Sequence, residues 1–89
     1  MIRVRLEAQA PEGGVPRSVG TGEVDEALRQ RLQGTLEARR REDPAAADVA
    51  FETAEGTHLA LWEGGTLAVI RLATHLAALS WPGFEPLGE

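Results

Sequence analysis

The sequence predicts an α+β fold built as a two-layer sandwich, and three observations carry that reading. Ile2, Val4, Leu6 and Ala8 alternate with Arg3, Arg5, Glu7 and Gln9, the period of two of a strand with one buried and one wet face. Val24, Leu28, Leu32 and Leu36 recur at helical spacing,. Val49, Phe51 and Thr53 alternate against Ala50, Glu52 and Ala54 ahead of a second apolar run, which is the pattern of a hairpin.

Taken in order, the first strand covers residues 2–9. Residues 10–22 contain Pro11, Gly13, Gly14, Pro16, Gly20 and Gly22; such residues punctuate regular structure, so this segment reads as a long Gly/Pro-rich loop. The helix follows, with Thr21 as N-cap, Glu23, Asp25 and Glu26 in its first turn and Arg39, Arg40 and Arg41 in its last, matching the macrodipole at both ends,. Asp25 with Arg29 and Glu37 with Arg41 stand in the favoured i,i+4 orientation. Gly34 marks either a close approach to the sheet or a weak spot in the helix. Asp43-Pro44 ends it. Residues 48–54 and 57–62 form two strands turning at Glu55-Gly56. The run TLAVIRL that follows fits either a strand or a helix. Arg71, Thr74, His75 and Ala78 share one helical face, which favours a helix from Thr66 to Ser80, stopped by Pro82-Gly83. Residues 82–89 are expected to be a flexible tail.

The resulting order is strand-helix-strand-strand-helix. A right-handed crossover places both helices on one face of a small, mainly antiparallel sheet. This is similar to a ferredoxin-like arrangement lacking its last strand. The core falls within residues 48–81, which hold both tryptophans and both histidines.

Length bounds the chain to a single domain, residues 1–89, burying roughly 60–65% of its unfolded surface. With no cysteine and a thin core, self-association into a homodimer is the expected route to further stability. The net charge of −5 argues against nucleic acid as a partner, since phosphate binding needs a basic face,. All nine basic residues are arginine, as GC-rich coding produces. No window is apolar enough to span a bilayer and the N-terminus has no apolar signal core, so a cytoplasmic protein without membrane contact is expected.

Alternation directs Ile2, Val4, Leu6, Val49, Phe51, Leu59 and Leu61 toward the helices. It sends Arg3, Arg5, Ala50, Glu52, His58, Ala60 and Trp62 to the opposite face, which no helix covers. Arginine and an exposed aromatic beside small residues are enriched at interfaces, so these seven residues are the expected interface or ligand face. The sheet separates His58 from His75, so no metal site is expected. Gly20-Thr21-Gly22 lacks the spacing and the lysine of a phosphate loop. Arg39-Arg40-Arg41 and Glu42-Asp43 read as a solvated helix end, and no histidine is placed beside Ser18 or Ser80. No cofactor is implied, and no residue set nominates catalysis.

Three functions fit these features. The first is a non-enzymatic interaction domain that self-associates or docks on a protein partner through the open face. The second is a small-molecule binder or enzyme with its pocket on that face beside loop 10–22. The third is an inhibitor or immunity-like protein steered onto a basic target by its acidic charge.

Overall fold

The N-terminal alternation forms β1 (Ile2–Ala8), with Val4, Leu6 and Ala8 buried and Arg3 and Arg5 exposed. The computed structural model describes residues 1–88. Besides β1 it contains β2 (Arg17–Val24), α1 (Glu26–Arg40), β3 (Asp48–Thr53), β4 (Gly56–Glu63), β5 (Thr66–Leu72), α2 (His75–Leu79) and β6 (Glu85–Pro86). The strands make one six-stranded sheet in the order β3-β4-β5-β1-β2-β6. Every neighbouring pair is antiparallel except β1 and β5. The fold is therefore α+β, with a larger and mixed sheet in place of the small, mainly antiparallel one expected from the ferredoxin-like arrangement.

Two extra strands account for most of the difference. Residues 17–24, read as the end of the loop 10–22 and the start of the helix, form β2 against β1 in the register Ile2↔Val24, Val4↔Gly22 and Leu6↔Gly20. Glycine inside a strand often marks a place where another group approaches closely. A Cβ on Gly22 would lie 2.5 Å from Trp81 Cδ1, and one on Gly20 only 2.1 Å from the Glu85 carbonyl oxygen. The glycines make room for the chain end to pack on the inner face.

That chain end is correspondingly structured. Trp81 Nε1 donates to the Glu23 carbonyl at 2.9 Å, and Glu23 N donates to that of Pro82 at 2.9 Å. Phe84 packs against the core, and Glu85 and Pro86 pair with Thr21 and Gly20. The tail expected over 82–89 is thus docked as far as β6; Glu89 lies outside the described residues.

The run TLAVIRL is β5, a strand, and the helix expected from Thr66 to Ser80 shrinks to α2 at its C-terminal part. As a central strand between β4 and β1, β5 buries Val69 on one face and Leu67, Ile70 and Leu72 on the other. A central strand whose side chains are buried on both faces loses the alternation that identifies it. α2 begins at Thr74, whose hydroxyl caps it by accepting from Ala77 N at 3.0 Å.

α1 starts later than expected. Asp25 is its N-cap, with Oδ1 accepting from Leu28 N at 2.8 Å. Arg29 pairs with Glu26 rather than Asp25. Leu32 and Leu36 of α1 and Ala77 and Ala78 of α2 join Val4, Leu6, Val24, Val49, Phe51, Ala60, Trp62 and Ile70 in one core, so both helices cover the same sheet face.

Candidate functional site

Cross-strand register decides what each sheet face carries. β3 and β4 pair as Val49↔Ala60 and Phe51↔His58, and residues directly opposite one another share a face. Because Val49 and Phe51 point into the core, Ala60 and His58 do too, and Trp62 follows two positions on. The expected placement of His58, Ala60 and Trp62 on the open face is therefore corrected: they are 2%, 0% and 6% exposed. Trp62 Nε1 donates to Gln33 Oε1 of α1 at 3.2 Å. Leu59 and Leu61, expected in the core, turn outward and are half-buried.

The outer face retains Arg3, Arg5, Ala50 and Glu52 from the expected set. Two cross-strand rows organise it. One runs Ala50, Leu59, Arg71 and Glu7; the other runs Asp48, Leu61, Val69, Arg5 and Thr21. Each row ends in charged or polar groups on the β1–β2 side, and Ala50, Leu59, Leu61 and Val69 make a short apolar stripe on the β3–β5 side.

The charges on this face are arranged in pairs. Arg71 Nε meets Glu7 Oε1 at 2.9 Å, a half-buried bond across the parallel β1–β5 ladder, and Arg5 meets Glu63 at 3.1 Å. Arg3 reaches Glu23 at 3.3 Å and Glu85 at 3.7 Å, and donates to Thr21 Oγ1 and the Gly83 carbonyl at 2.9 and 3.0 Å. Arg3 therefore fixes the chain end, a structural role that its strand alternation alone did not reveal. Both helices pack on the other face. The three arginines of this face, Arg3, Arg5 and Arg71, are all paired with carboxylates, and with Glu52 and Glu85 beside them the face stays net acidic.

On the inner face His58 occupies a different kind of site. Its ring stands edge-on to Phe51 and Trp81, with centroids 5.5 and 6.3 Å away. Nδ1 accepts from Ala73 N at 3.0 Å, and Nε2 lies 2.7 Å from Thr53 Oγ1. An accepting Nδ1 requires the neutral ring with its proton on Nε2, which then donates to Thr53. Burial pushes the His58 pKa below its ordinary value, and Glu55 opposes this in part. Thr53 Oγ1 also accepts from Glu55 N at 3.2 Å.

Two cavities flank these features. One of about 350 Å³ lies between the helices, lined by Leu28, Ala77 and Trp81 with Glu23, Asp25 and Glu55. Another, of about 460 Å³, lies at the end of β1 and β5, lined by Ala8 to Pro11, Arg17 and Ala73 to His75. Among the described residues no group of three or more His, Asp or Glu is placed to hold a metal ion. Among the described residues no helix is long and apolar enough to cross a membrane. No family model, curated protein or solved structure matches the chain.

Proposed function

We propose that the chain is a non-enzymatic interaction domain that self-associates through the outer sheet face. The observation that carries this reading is the combination of an apolar stripe, exposed Ala50 and half-buried Leu59 and Leu61 over buried Val69, with flanking arginines already paired to Glu7, Glu63 and Glu23. Two copies of a chain with net charge −5 repel each other over most of their surfaces,. The apolar stripe offers burial to set against that repulsion, and a two-fold arrangement would lay one stripe on the other as a self-complementary contact. Sedimentation velocity up to high micromolar concentration tests this. The expected result is a concentration-dependent dimer that Leu61→Glu dissociates without changing the circular dichroism spectrum. A wild-type chain that stays monomeric, or a dimer indifferent to Leu61→Glu, overturns it.

A second reading, a small-molecule binder, is supported by the cavity beside residues 9–11. Arg17 forms no salt bridge among the described residues and lines that cavity with His75, so it suits a small carboxylate or phosphate. A thermal-shift panel of such anions checks it: stabilisation lost in Arg17→Ala supports the reading, and no shift across the panel counts against it.

A further inference from the structure

We infer that His58 is an acid-sensitive latch, joining the β3–β4 turn to the start of α2 while its ring is neutral and releasing the two when the ring is protonated. The geometry allows one protonation state. Ala73 N points at Nδ1 from 3.0 Å, at the junction between β5 and α2, and Thr53 Oγ1 accepts from Nε2 at the mouth of the turn. The Thr53 hydroxyl in turn lies 3.4 Å from Glu55 Oε1, so every donor and acceptor around the neutral ring is matched. A second proton would set Nδ1–H against the Ala73 N–H and bury a charge among aromatic rings, breaking the bond that ties α2 to the sheet.

The surroundings give the imidazolium little help. From β3 the ring meets Phe51 and Thr53, from the β5–α2 junction Ala73, and from the end of α2 Trp81, none of them charged. Glu55 in the turn is the charged group that acts on it, and it lies at an exposed position. Beyond its far end α2 is held by Trp81 and Pro82 on Glu23, so the His58 bond is the tie at its near end. α2 has five residues, of which Ala77 and Ala78 are buried while Leu76 and Leu79 are 73% and 45% exposed.

The direction of the pH effect follows from linkage. His58 is harder to protonate in the folded chain than in the unfolded one, so the unfolded state binds more protons in the window below the unfolded pKa of about 6.5,. The stability that His58 contributes is present above that value and is lost as pH falls toward the lower folded one. If the folded ring stays neutral throughout, the unfolding equilibrium constant rises by up to ~25-fold between pH ~7 and ~5 from this group alone.

Two measurements test the latch in the full chain. In urea titrations across that range, wild type is expected to show an excess pH slope over His58→Asn, whose Oδ1 can still accept from Ala73 N but cannot titrate. Identical slopes in wild type and His58→Asn overturn the proposal. Should His58→Asn fail to fold, imidazole ¹⁵N shifts of the wild type decide. A neutral ring protonated at Nε2 is expected at neutral pH, and an Nδ1-protonated or charged ring overturns it. Amide exchange separates a local latch from general acid unfolding. The Ala73 amide should lose protection at mild acid before the amide of Leu6 does, and equal protection at both sites counts against release.

Discussion

Replacing Trp62 by alanine distinguishes most sharply between the two faces on which this residue could lie. In the core, Trp62 is 6% exposed and bonded to Gln33. A tryptophan side chain buries roughly 200 Å², worth about 5 kcal/mol at ~25 cal/mol per Å². Truncation of a buried aromatic residue costs about 3–5 kcal/mol by experience, and losing the indole hydrogen bond adds about 1 kcal/mol. A domain of this size has a total stability of about 4–13 kcal/mol, so Trp62→Ala should remove a third of it or more. Urea unfolding followed by circular dichroism measures the loss. Trp62→Phe grades it: most of the ring area stays and the donor to Gln33 goes, for an expected cost of about 1–2 kcal/mol. If Trp62→Ala costs under about 1 kcal/mol while weakening association, Trp62 is on the outer face and the register Val49↔Ala60 is wrong.

Two further predictions concern backbone and packing. Gly22→Ala places a Cβ 2.5 Å from Trp81 Cδ1 and 2.8 Å from Leu6 Cδ1, and should destabilise by about 1–3 kcal/mol through overpacking; in the same unfolding assay Gly34→Ala, which meets no atom within 4 Å, should stabilise by about 0.5–1 kcal/mol. Opposite signs are the expected result, and a stabilising Gly22→Ala would show that the chain end does not pack on β2. Asp25→Ala removes the N-cap of α1 and should cost about 1 kcal/mol, whereas Thr21→Ala, no longer at a helix start, should have no capping effect on α1.

What the sequence showed clearly was local. β1, α1 and β3 are visible because each has one wet side, so polar residues mark the period, whereas β4 turns Leu59 and Leu61 outward and reads as a strand without showing which side is buried. β5 lacks that mark: Val69 and Ile70 are neighbours buried on opposite faces, and an unbroken apolar run of this length is compatible with either a strand or a helix. β2 was hidden for the opposite reason. Two of its three inward positions are Gly20 and Gly22, whose missing side chains read as a loop until Trp81 and Phe84 are seen lying against them, and the third, Val24, reads as helix. The composition that signals a flexible segment here signals close packing, and that contact spans some sixty residues of sequence.

The candidate face was misassigned at one point only, and the constraint that corrects it was present in the residues. In an antiparallel hairpin with a two-residue turn, the position numbers of facing residues always differ in parity, so odd-numbered Val49 and Phe51 must share their side with even-numbered partners. Placing Leu59 and Leu61 beside them broke that rule. The single register Val49↔Ala60 then has two consequences together: it buries His58 and Trp62, and it turns Leu59 and Leu61 outward. The proposed latch and the proposed dimer contact both rest on it, from opposite sides of one strand. Because the sheet lies between them they should be energetically independent, as separated sites without shared partners are. Leu61→Glu should abolish association yet leave the pH slope and Ala73 protection unchanged, and His58→Asn should remove the slope yet leave association at neutral pH intact. If either substitution moves both readouts, the two faces are not separate and the register that divides them has been drawn incorrectly.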